Sequence, residues 1–296
     1  RDSHFLMEMN TRIQVEHRVS ELCYTLKFAN PENPNDFFLV DSLVEAMTLL
    51  AKFKKRLPKP VRIPRERASV EVRLNATNRA LKPHAGGVIA YWNDPIEGEI
   101  RDDQGISLKN PDTGQFMKYH LAGAYDSNVA LILPVGANRR ESYERMAEVL
   151  RRTKFRGDNL CTNLEFHYGL VHWLLAEHVH AKATTSFAMP YLTQVGMLKQ
   201  ATNDLDLEHA FNQIKSFHKK NVAQAHGDSE QLAAALKAID NVLERKHTLL
   251  LRPIELLLAE PHLLCGWLSL NKSSIRFDGD RVVWTRNPVD VLSETY

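Results

Sequence analysis

The chain has 296 residues and a formal net charge of +2, and 44% of its residues are hydrophobic. This length suits one large or two ordinary domains with a substantial core, and the near-neutral charge gives no general footprint for nucleic acid or for a membrane. The three cysteines, Cys23, Cys161 and Cys265, lie far apart, which argues against a disulfide scaffold or a zinc site. The same cysteine usage fits a reducing compartment, so we expect a cytoplasmic protein, and no apolar run reaches transmembrane length.

The stretch MEMNTRIQVEH, residues 7–17, alternates polar with less polar side chains. Its polar positions are Glu8, Asn10, Arg12, Gln14 and Glu16. A period of two predicts a strand, which we place over residues 4–10, with these side chains on one face. Fully extended, the stripe would span roughly 26 Å at ~3.3 Å per residue. Either it is a solvated edge, or the chain bends after the strand and wraps the five side chains around a ligand; the Asn-Thr-Arg sequence favours the bend.

The remaining elements follow in chain order. The sequence predicts a helical piece at 19–29, a loop at 30–36, a helix within 37–56, strands at 68–76, 84–92 and 125–135, and an amphipathic helix at 138–152. Asn138 and Glu141 resemble a capping box at the start of that last helix. From residue 187 the pattern is mainly helical, with a hairpin at 274–284 around Asp-Gly.

This change of pattern predicts a domain boundary near residue 187, with a mostly helical domain at 188–296. The chain also begins inside the predicted strand and without an initiator methionine. We therefore expect it to be a piece of a longer protein.

The residue types of the opening stripe suit a magnesium–nucleotide site. Glu8 and Asn10 supply hard oxygen ligands two residues apart, and Arg12 offers a planar fork for an oxyanion. Glu16 is a carboxylate that could accept a proton from a substrate. Exposed polar stripes are also common, so the residues alone leave open both a ligand site and a solvated face.

MEMNTRIQVEH resembles the signature of biotin carboxylases, which belong to the ATP-grasp superfamily. Its first half is shared by many ATP-grasp ligases, whereas the continuation IQVEH is more specific. Further similar segments follow in the same order: SVEVRLNA, LKPHAGGVI, YDSNVALI, NRRESYERMAEVLRR and CTNLEF. The likeness covers roughly residues 4–187. It implies a mixed α/β (α+β) fold in which the end of an ATP-grasp module and a lobe with a mainly antiparallel sheet precede the helical domain.

The resemblance also implies a role for each residue of the stripe. Glu8 and Asn10 would bind the magnesium or manganese ions that bridge the phosphates of ATP. Arg12, Gln14 and Val15 would hold bicarbonate, with Val15 acting through its backbone. Two further residues would act in catalysis: Glu16 would deprotonate bicarbonate for attack on the γ-phosphate, and Arg73 would stabilise the enolate form of biotin.

As implied by the resemblance, the cofactors are ATP, magnesium or manganese, and biotin on a carrier domain. The partners are bicarbonate, the biotin carboxyl carrier domain, a carboxyltransferase domain or subunit, and further copies of the same chain. The whole would be a multidomain carboxylase of the acetyl-CoA or propionyl-CoA type. Residues 1–187 would form the C-terminal part of its biotin carboxylase domain, and residues 1–296 alone would be inactive because the glycine-rich lid and the adenine pocket lie outside them.

Several positions depart from the family pattern. Leu131 and Cys161 stand where relatives carry lysine, and Arg18 stands where they usually carry proline. The segment between Gly98 and Ala122 differs most. These changes leave the metal and bicarbonate residues intact and put carrier docking and the usual dimer in question.

Other interpretations stay open at this point. Glu71 and Arg73 could form a simple cross-strand ion pair, and His17 could brace the opening loop by hydrogen bonding. The chain could be another ATP-grasp ligase of the carbamoyl-phosphate synthase type, although IQVEH and the Arg73 strand argue against it. It could also be a degenerate regulatory module. Such a module would have lost some of the site residues to substitution, and all of them are present.

Overall fold

A computed structural model describes residues 8–33, 35–84, 86–102, 106–121, 127–182, 184–227, 230–260 and 262–294. The chain forms two compact units. The first comprises residues 1–76, 83–162 and 175–180, and the second comprises 77–82, 163–174 and 181–296.

In its described residues, the first unit is built from short antiparallel sheets and three α-helices. Its helices are α1 His17–Cys23, α2 Leu43–Phe53 and α3 Arg139–Arg152. Its strands are β1 Tyr24–Ala29, β2 Phe37–Val40, β3 Val61–Pro64, β4 Ala68–Ser69, β5 Val72–Asn75, β6 Val88–Ile89, β7 Tyr91–Trp92, β8 Glu99–Asp102, β9 Tyr119–His120, β10 Asn128–Gly136 and β11 Phe155–Arg156. The sheet pairings are β2–β1–β3, β6 with β9, β7 with β11, and β10 with β4, β5 and β8.

Strand β10 is the centre of the largest sheet. It pairs with β8 along one edge and with β4 and β5 along the other, and α3 packs against it. Residues 129–133 are almost fully buried, as expected for an apolar run covered on both faces. Leu131 is the register partner of both Arg73 on β5 and Asp102 on β8. Because paired residues point to the same face, Arg73 and Asp102 flank Leu131 in one row across the sheet.

The start of α2 depends on the buried carboxylate of Glu21 in α1. Glu21 Oε1 accepts hydrogen bonds from the Leu43 backbone N–H at 2.7 Å and from His17 Nδ1 at 2.9 Å. Glu21 Oε2 accepts a bond from Arg18 Nη1 at 3.0 Å. Although burial opposes it, these hydrogen bonds hold the pKa of Glu21 below its usual value. The carboxylate therefore ties α1 to the first turn of α2.

Replacing Glu21 with alanine should loosen this junction. A hydrogen bond to a charged group contributes roughly 1.5–3 kcal/mol, so amide exchange at Leu43 should accelerate by about 10- to 100-fold in the full-length protein. Since the pKa of Glu21 is lowered by folding, its stabilising effect is present at neutral pH and is lost as the pH falls through that lowered pKa. Glu66→Ala, which removes an exposed carboxylate from the same unit, is the control. Equal exchange rates at Leu43 in both variants would contradict the prediction.

The second unit is mostly helical. Its helices are α4 Leu164–Trp173, α5 Met189–Asn203, α6 Leu207–His226, α7 Leu232–Ala259, α8 Leu263–Leu270 and α9 Pro288–Ser293, and its hairpin is β12 Ile275–Asp278 with β13 Arg281–Trp284. The hairpin turn contains Gly279 at φ +59°, as the Asp-Gly pair predicts. None of the helices in the described part of the chain has the length and hydropathy needed to cross a membrane.

Helices α4 and α8 pack closely because Gly169 has no side chain. A Cβ at this position would lie 2.2 Å from the Cys265 carbonyl oxygen and 2.1 Å from the Tyr191 hydroxyl. The Tyr191 hydroxyl donates to the Cys265 carbonyl at 3.0 Å, and Ser269 Oγ donates to the Gly169 carbonyl at 2.7 Å. The mixed α/β architecture, with antiparallel sheets and a helical part, confirms the fold class expected from the sequence.

Three local predictions need correction. The predicted strand at 4–10 is not formed over residues 8–10, which are irregular, and its first four residues lie outside the described part of the chain. The piece at 19–29 is helical only to Cys23 and continues as β1, whose aromatic and β-branched residues favour a strand. The first residues of the helix predicted within 37–56 form strand β2 instead. The helix α2 begins only after Ser42, which caps it by accepting a bond from the Glu45 N–H at 3.4 Å.

Candidate functional site

The opening segment bends into a helix. Residues 8–14 are irregular, a turn follows at Val15 and Glu16, and α1 begins at His17. Glu8 and Asn10 are exposed, and Asn10 Nδ2 donates to Glu8 Oε1 at 3.2 Å. This contact places the amide nitrogen of Asn10 against the Glu8 carboxylate. A carboxylate and an amide oxygen are ligand types that fit Mg²⁺, which usually takes one or two carboxylates together with phosphate and water oxygens.

A cavity of about 470 Å³ lies beside this segment. Arg12, Gln14 and Glu16 line it together with His17. Its other walls are largely apolar: Leu26, Phe28, Leu43, Ala46, Met47 and Leu50. Within the described residues, the buried Nε2 of Gln14 has no hydrogen-bond partner, so this amide is available to a ligand. The cavity therefore offers a guanidinium, an amide and a carboxylate to a small polar ligand.

The residue Arg73 lies on β5, in the row that also contains Leu131 and Asp102. Val72 and Leu74 on either side of it are 4% and 0% exposed, so Glu71 and Arg73 share the opposite face of the strand. The alternation predicted from the sequence is therefore present. Leu131, at the centre of this row, contributes no charge to it.

The carboxyl group of Glu71 has the most perturbed acidity in this part of the first unit. Burial and, after it, the negative charges of Glu16 and Asp102 together raise its pKa to about 7. The positive charges of His17 and Arg73 oppose this effect. These interactions require all four groups to lie near Glu71. The structure thus brings Glu16, from the opening segment, into the neighbourhood of Arg73, from β5.

Helix α1 is fixed by hydrogen bonds that sequence reasoning only partly anticipated. His17 braces the segment through Glu21, as the simpler interpretation of this histidine proposed. Arg18 Nε lies 3.0 Å from Asp102 Oδ2, which connects α1 to the end of β8. Glu71, Glu21 and Asp102 were not predicted as members of the site. Of these three residues, only Glu71 had a signal in the sequence, which is its position two residues before Arg73.

This chain is similar in sequence to several biotin carboxylases. The chloroplastic biotin carboxylase of Arabidopsis thaliana is 24% identical over 212 residues, which are 71% of this chain and 34% of that protein. The biotin carboxylase of Pseudomonas aeruginosa is 26% identical over 167 residues, or 56% of this chain and 31% of that protein. The biotin carboxylase of a Nostoc species is 28% identical over 185 residues, which are 62% of this chain and 35% of that protein. No family model matches the chain.

Two solved structures of biotin carboxylase domains match part of this chain with low TM-scores. One is that of the Hydrogenobacter thermophilus 2-oxoglutarate carboxylase, a dimer in complex with MgADP and bicarbonate, with a TM-score of 0.42 and 20% identity. Another is the biotin carboxylase component of pyruvate carboxylase, with a TM-score of 0.41 and 20% identity. Each match covers 62% of this chain and 35% of the other. The sequence matches confirm the resemblance carried by the motifs: this chain is similar to biotin carboxylases and spans about a third of their length.

Proposed function

We propose that the full-length protein carboxylates biotin with ATP and bicarbonate, as the biotin carboxylase part of a biotin-dependent carboxylase. One observation carries the proposal. Arg12, Gln14 and Glu16 line a single cavity, and the charge of Glu16 acts on Glu71, which shares a strand face with Arg73. Two stretches far apart in sequence are therefore neighbours in the fold, as a reaction in two steps at one site requires.

The first step concerns bicarbonate. Arg12 and Gln14 would bind its oxygens, with the backbone of Val15, and Glu16 would take its proton so that it can attack the γ-phosphate of ATP. Bicarbonate is a weak nucleophile until it is deprotonated, and the resulting dianion needs positive charge beside it. The exposed guanidinium of Arg12 and the unpartnered amide of Gln14 suit that task.

Glu8 and Asn10, whose side chains are in contact, would hold the magnesium or manganese of the nucleotide through their side-chain oxygens. When bound, the metal would neutralise charge on the phosphates of ATP. On the other strand, Arg73 would stabilise the enolate of biotin. A ureido nitrogen attacks only in such an anionic form, and a fixed guanidinium lowers the barrier to it.

The wider assembly is proposed from the relatives. Residues 1–187 would be the C-terminal part of the biotin carboxylase domain, and residues 188–296 a helical linker or coupling domain. The partners would be a biotin carboxyl carrier domain, a carboxyltransferase domain or subunit, and a second copy of the chain. An acyl-CoA acceptor is proposed, in line with another relative, the alpha chain of the mitochondrial methylcrotonoyl-CoA carboxylase of Glycine max, which is 27% identical over 167 residues.

The test is bicarbonate-dependent ATP cleavage by the full-length protein, with labelled bicarbonate and free biotin present. Label should appear in carboxybiotin, and ATP cleavage should fall to background without bicarbonate. Residues 1–296 alone should show neither activity, because the chain spans only about a third of its relatives. If the label appeared instead in carbamoyl phosphate when ammonia replaces biotin, the protein would be the other type of ATP-grasp ligase. ATP cleavage absent under all these conditions would favour a regulatory module.

A further inference from the structure

The first unit contains another cavity, here called the arginine cavity because three arginines line it. Its volume is about 360 Å³, which lies within the ~300–1,000 Å³ range of small-molecule sites. Its walls include Cys23 at the end of α1, Arg65 and Arg67 between β3 and β4, and Arg139 and Tyr143 in the first turns of α3. Of the described residues, those that line it include neither aspartate nor glutamate. It shares no lining residue with the cavity of Arg12 and Glu16, so the two are separate.

Two of these guanidinium groups are held in place by their Nε atoms. Arg67 Nε donates to the Leu22 carbonyl at 2.6 Å, and Arg65 Nε donates to Thr25 Oγ1 at 3.0 Å. The two terminal nitrogens of Arg67 have no hydrogen-bond partner among the described residues. A planar fork that is fixed at one nitrogen and unoccupied at the other two suits bidentate binding of an oxyanion.

Positive charge exceeds negative charge around the arginine cavity. Arg65 pairs with Asp41, which is exposed and does not line the cavity. Hydrogen bonds from Thr25 and Arg65 lower the pKa of Asp41, and the charges of Arg65 and Arg67 lower it further. This one carboxylate therefore lies near two arginines. Arg139 adds a third positive charge at the start of α3, where the helix dipole also favours an anion.

We propose that the arginine cavity binds a small organic phosphate, with its phosphate group against Arg65, Arg67 and Arg139. A phosphate monoester carries roughly −1.5 to −2 charges at neutral pH and offers three acceptor oxygens, which match the surplus of positive charge and the open fork of Arg67. A carboxylate offers one charge and two oxygens, so it would leave part of that surplus uncompensated.

The organic group of the ligand also has a place in this cavity. A bare phosphate ion would fill only part of 360 Å³. The Tyr143 ring supplies an apolar wall, and its centroid lies 5.7 Å from the Arg139 guanidinium carbon. Binding here is independent of the chemistry proposed for ATP and bicarbonate, because those groups are assigned to the other cavity and to the segment beside it.

The free thiol of Cys23 reports whether the cavity is occupied. Ribose 5-phosphate should protect Cys23 of the full-length protein from alkylation by iodoacetamide, as measured by mass spectrometry of its peptide. At ten times the Kd the unoccupied fraction, and with it the alkylation rate, should fall about 10-fold by mass action. Cys161, which lies outside the cavity, should react at an unchanged rate. Ribose and gluconate, which lack the phosphate, should protect neither thiol.

Substitutions then test which side chains hold the phosphate. Arg67→Gln should raise the Kd of ribose 5-phosphate about 10- to 100-fold, the scale for losing hydrogen bonds to a charged group, and Arg67→Lys should restore part of the affinity. Arg139→Gln should also weaken binding, and it leaves the contact between Arg67 and Leu22 intact. Arg62→Gln is the matched control, since it removes an exposed arginine of β3 that does not line the cavity. Thermal unfolding of each variant shows whether it is folded.

The outcomes that overturn the site are distinct. Protection that survives both Arg67→Gln and Arg139→Gln would exclude this cavity, and protection lost in Arg12→Gln would place the phosphate in the other one. Equal protection by gluconate would overturn the assignment to phosphates. If neither ribose 5-phosphate nor inorganic phosphate slowed alkylation of Cys23 at concentrations above those of cellular phosphate esters, the proposal would be wrong.

Discussion

Replacing Glu16 with glutamine in the full-length protein should slow bicarbonate-dependent ATP cleavage by ~10²- to 10⁴-fold, the usual contribution of a positioned base. Glutamine keeps the shape and most hydrogen bonding of the side chain but cannot accept a proton. Because Glu8 and Asn10 lie six or more residues before it, nucleotide affinity should change little. The acid limb of the pH–rate profile should vanish from the remaining activity. Measurement of kcat and of the bicarbonate KM at several pH values checks all of these expectations.

A rival account makes Glu16 only a wall of the cavity that orients bicarbonate with Arg12. That account predicts a raised bicarbonate KM with kcat nearly intact at saturation. Glu66→Gln is the matched control, since it removes one exposed carboxylate from the same unit outside the cavity. An unchanged kcat with an unchanged acid limb in Glu16→Gln would rule out the base assignment.

The fold could be predicted from the sequence where the pattern of apolar and polar residues within one segment matches which side chains are buried. The apolar run at 125–135 became β10 over its described part, and the alternation around Arg73 became β5. Asn138 caps α3 as expected: its side chain accepts a bond from the Glu141 N–H at 3.0 Å. Each of these signals lies within one segment. The side chains that decide the structure are therefore already adjacent in the sequence.

The rest depends on contacts between segments, which one sequence does not specify. Alternation at residues 7–17 predicted a strand, but a strand also needs a paired neighbour, and residues 8–14 are irregular. The acidity of Glu71 arises from burial and from charges on α1, β5 and β8. No spacing in the sequence reports how near these charges lie. The residue types of the site could be predicted from the sequence. The electrostatic interactions among those residues could not.

Replacing Arg73 with alanine should separate the two half-reactions of the full-length protein. Biotin carboxylation should fall by roughly 10²- to 10³-fold, the scale for losing one oxyanion donor. ATP affinity should survive, because Arg73 lies on β5 and does not line the cavity of Arg12 and Glu16. Measurement of ATP binding, bicarbonate-dependent ATP cleavage and label transfer to biotin in one preparation tests the separation.

Two further variants decide whether the guanidinium itself is needed. Arg73→Lys keeps a positive charge near Glu71 but loses the planar fork, so it should restore only a small part of biotin carboxylation. Arg156→Ala, an exposed arginine on β11 in the same unit, should behave as wild type. If ATP affinity and biotin carboxylation fell together in Arg73→Ala, the residue would be structural. Its action on Glu71, with which it shares a strand face, would then be the better account of why arginine stands there.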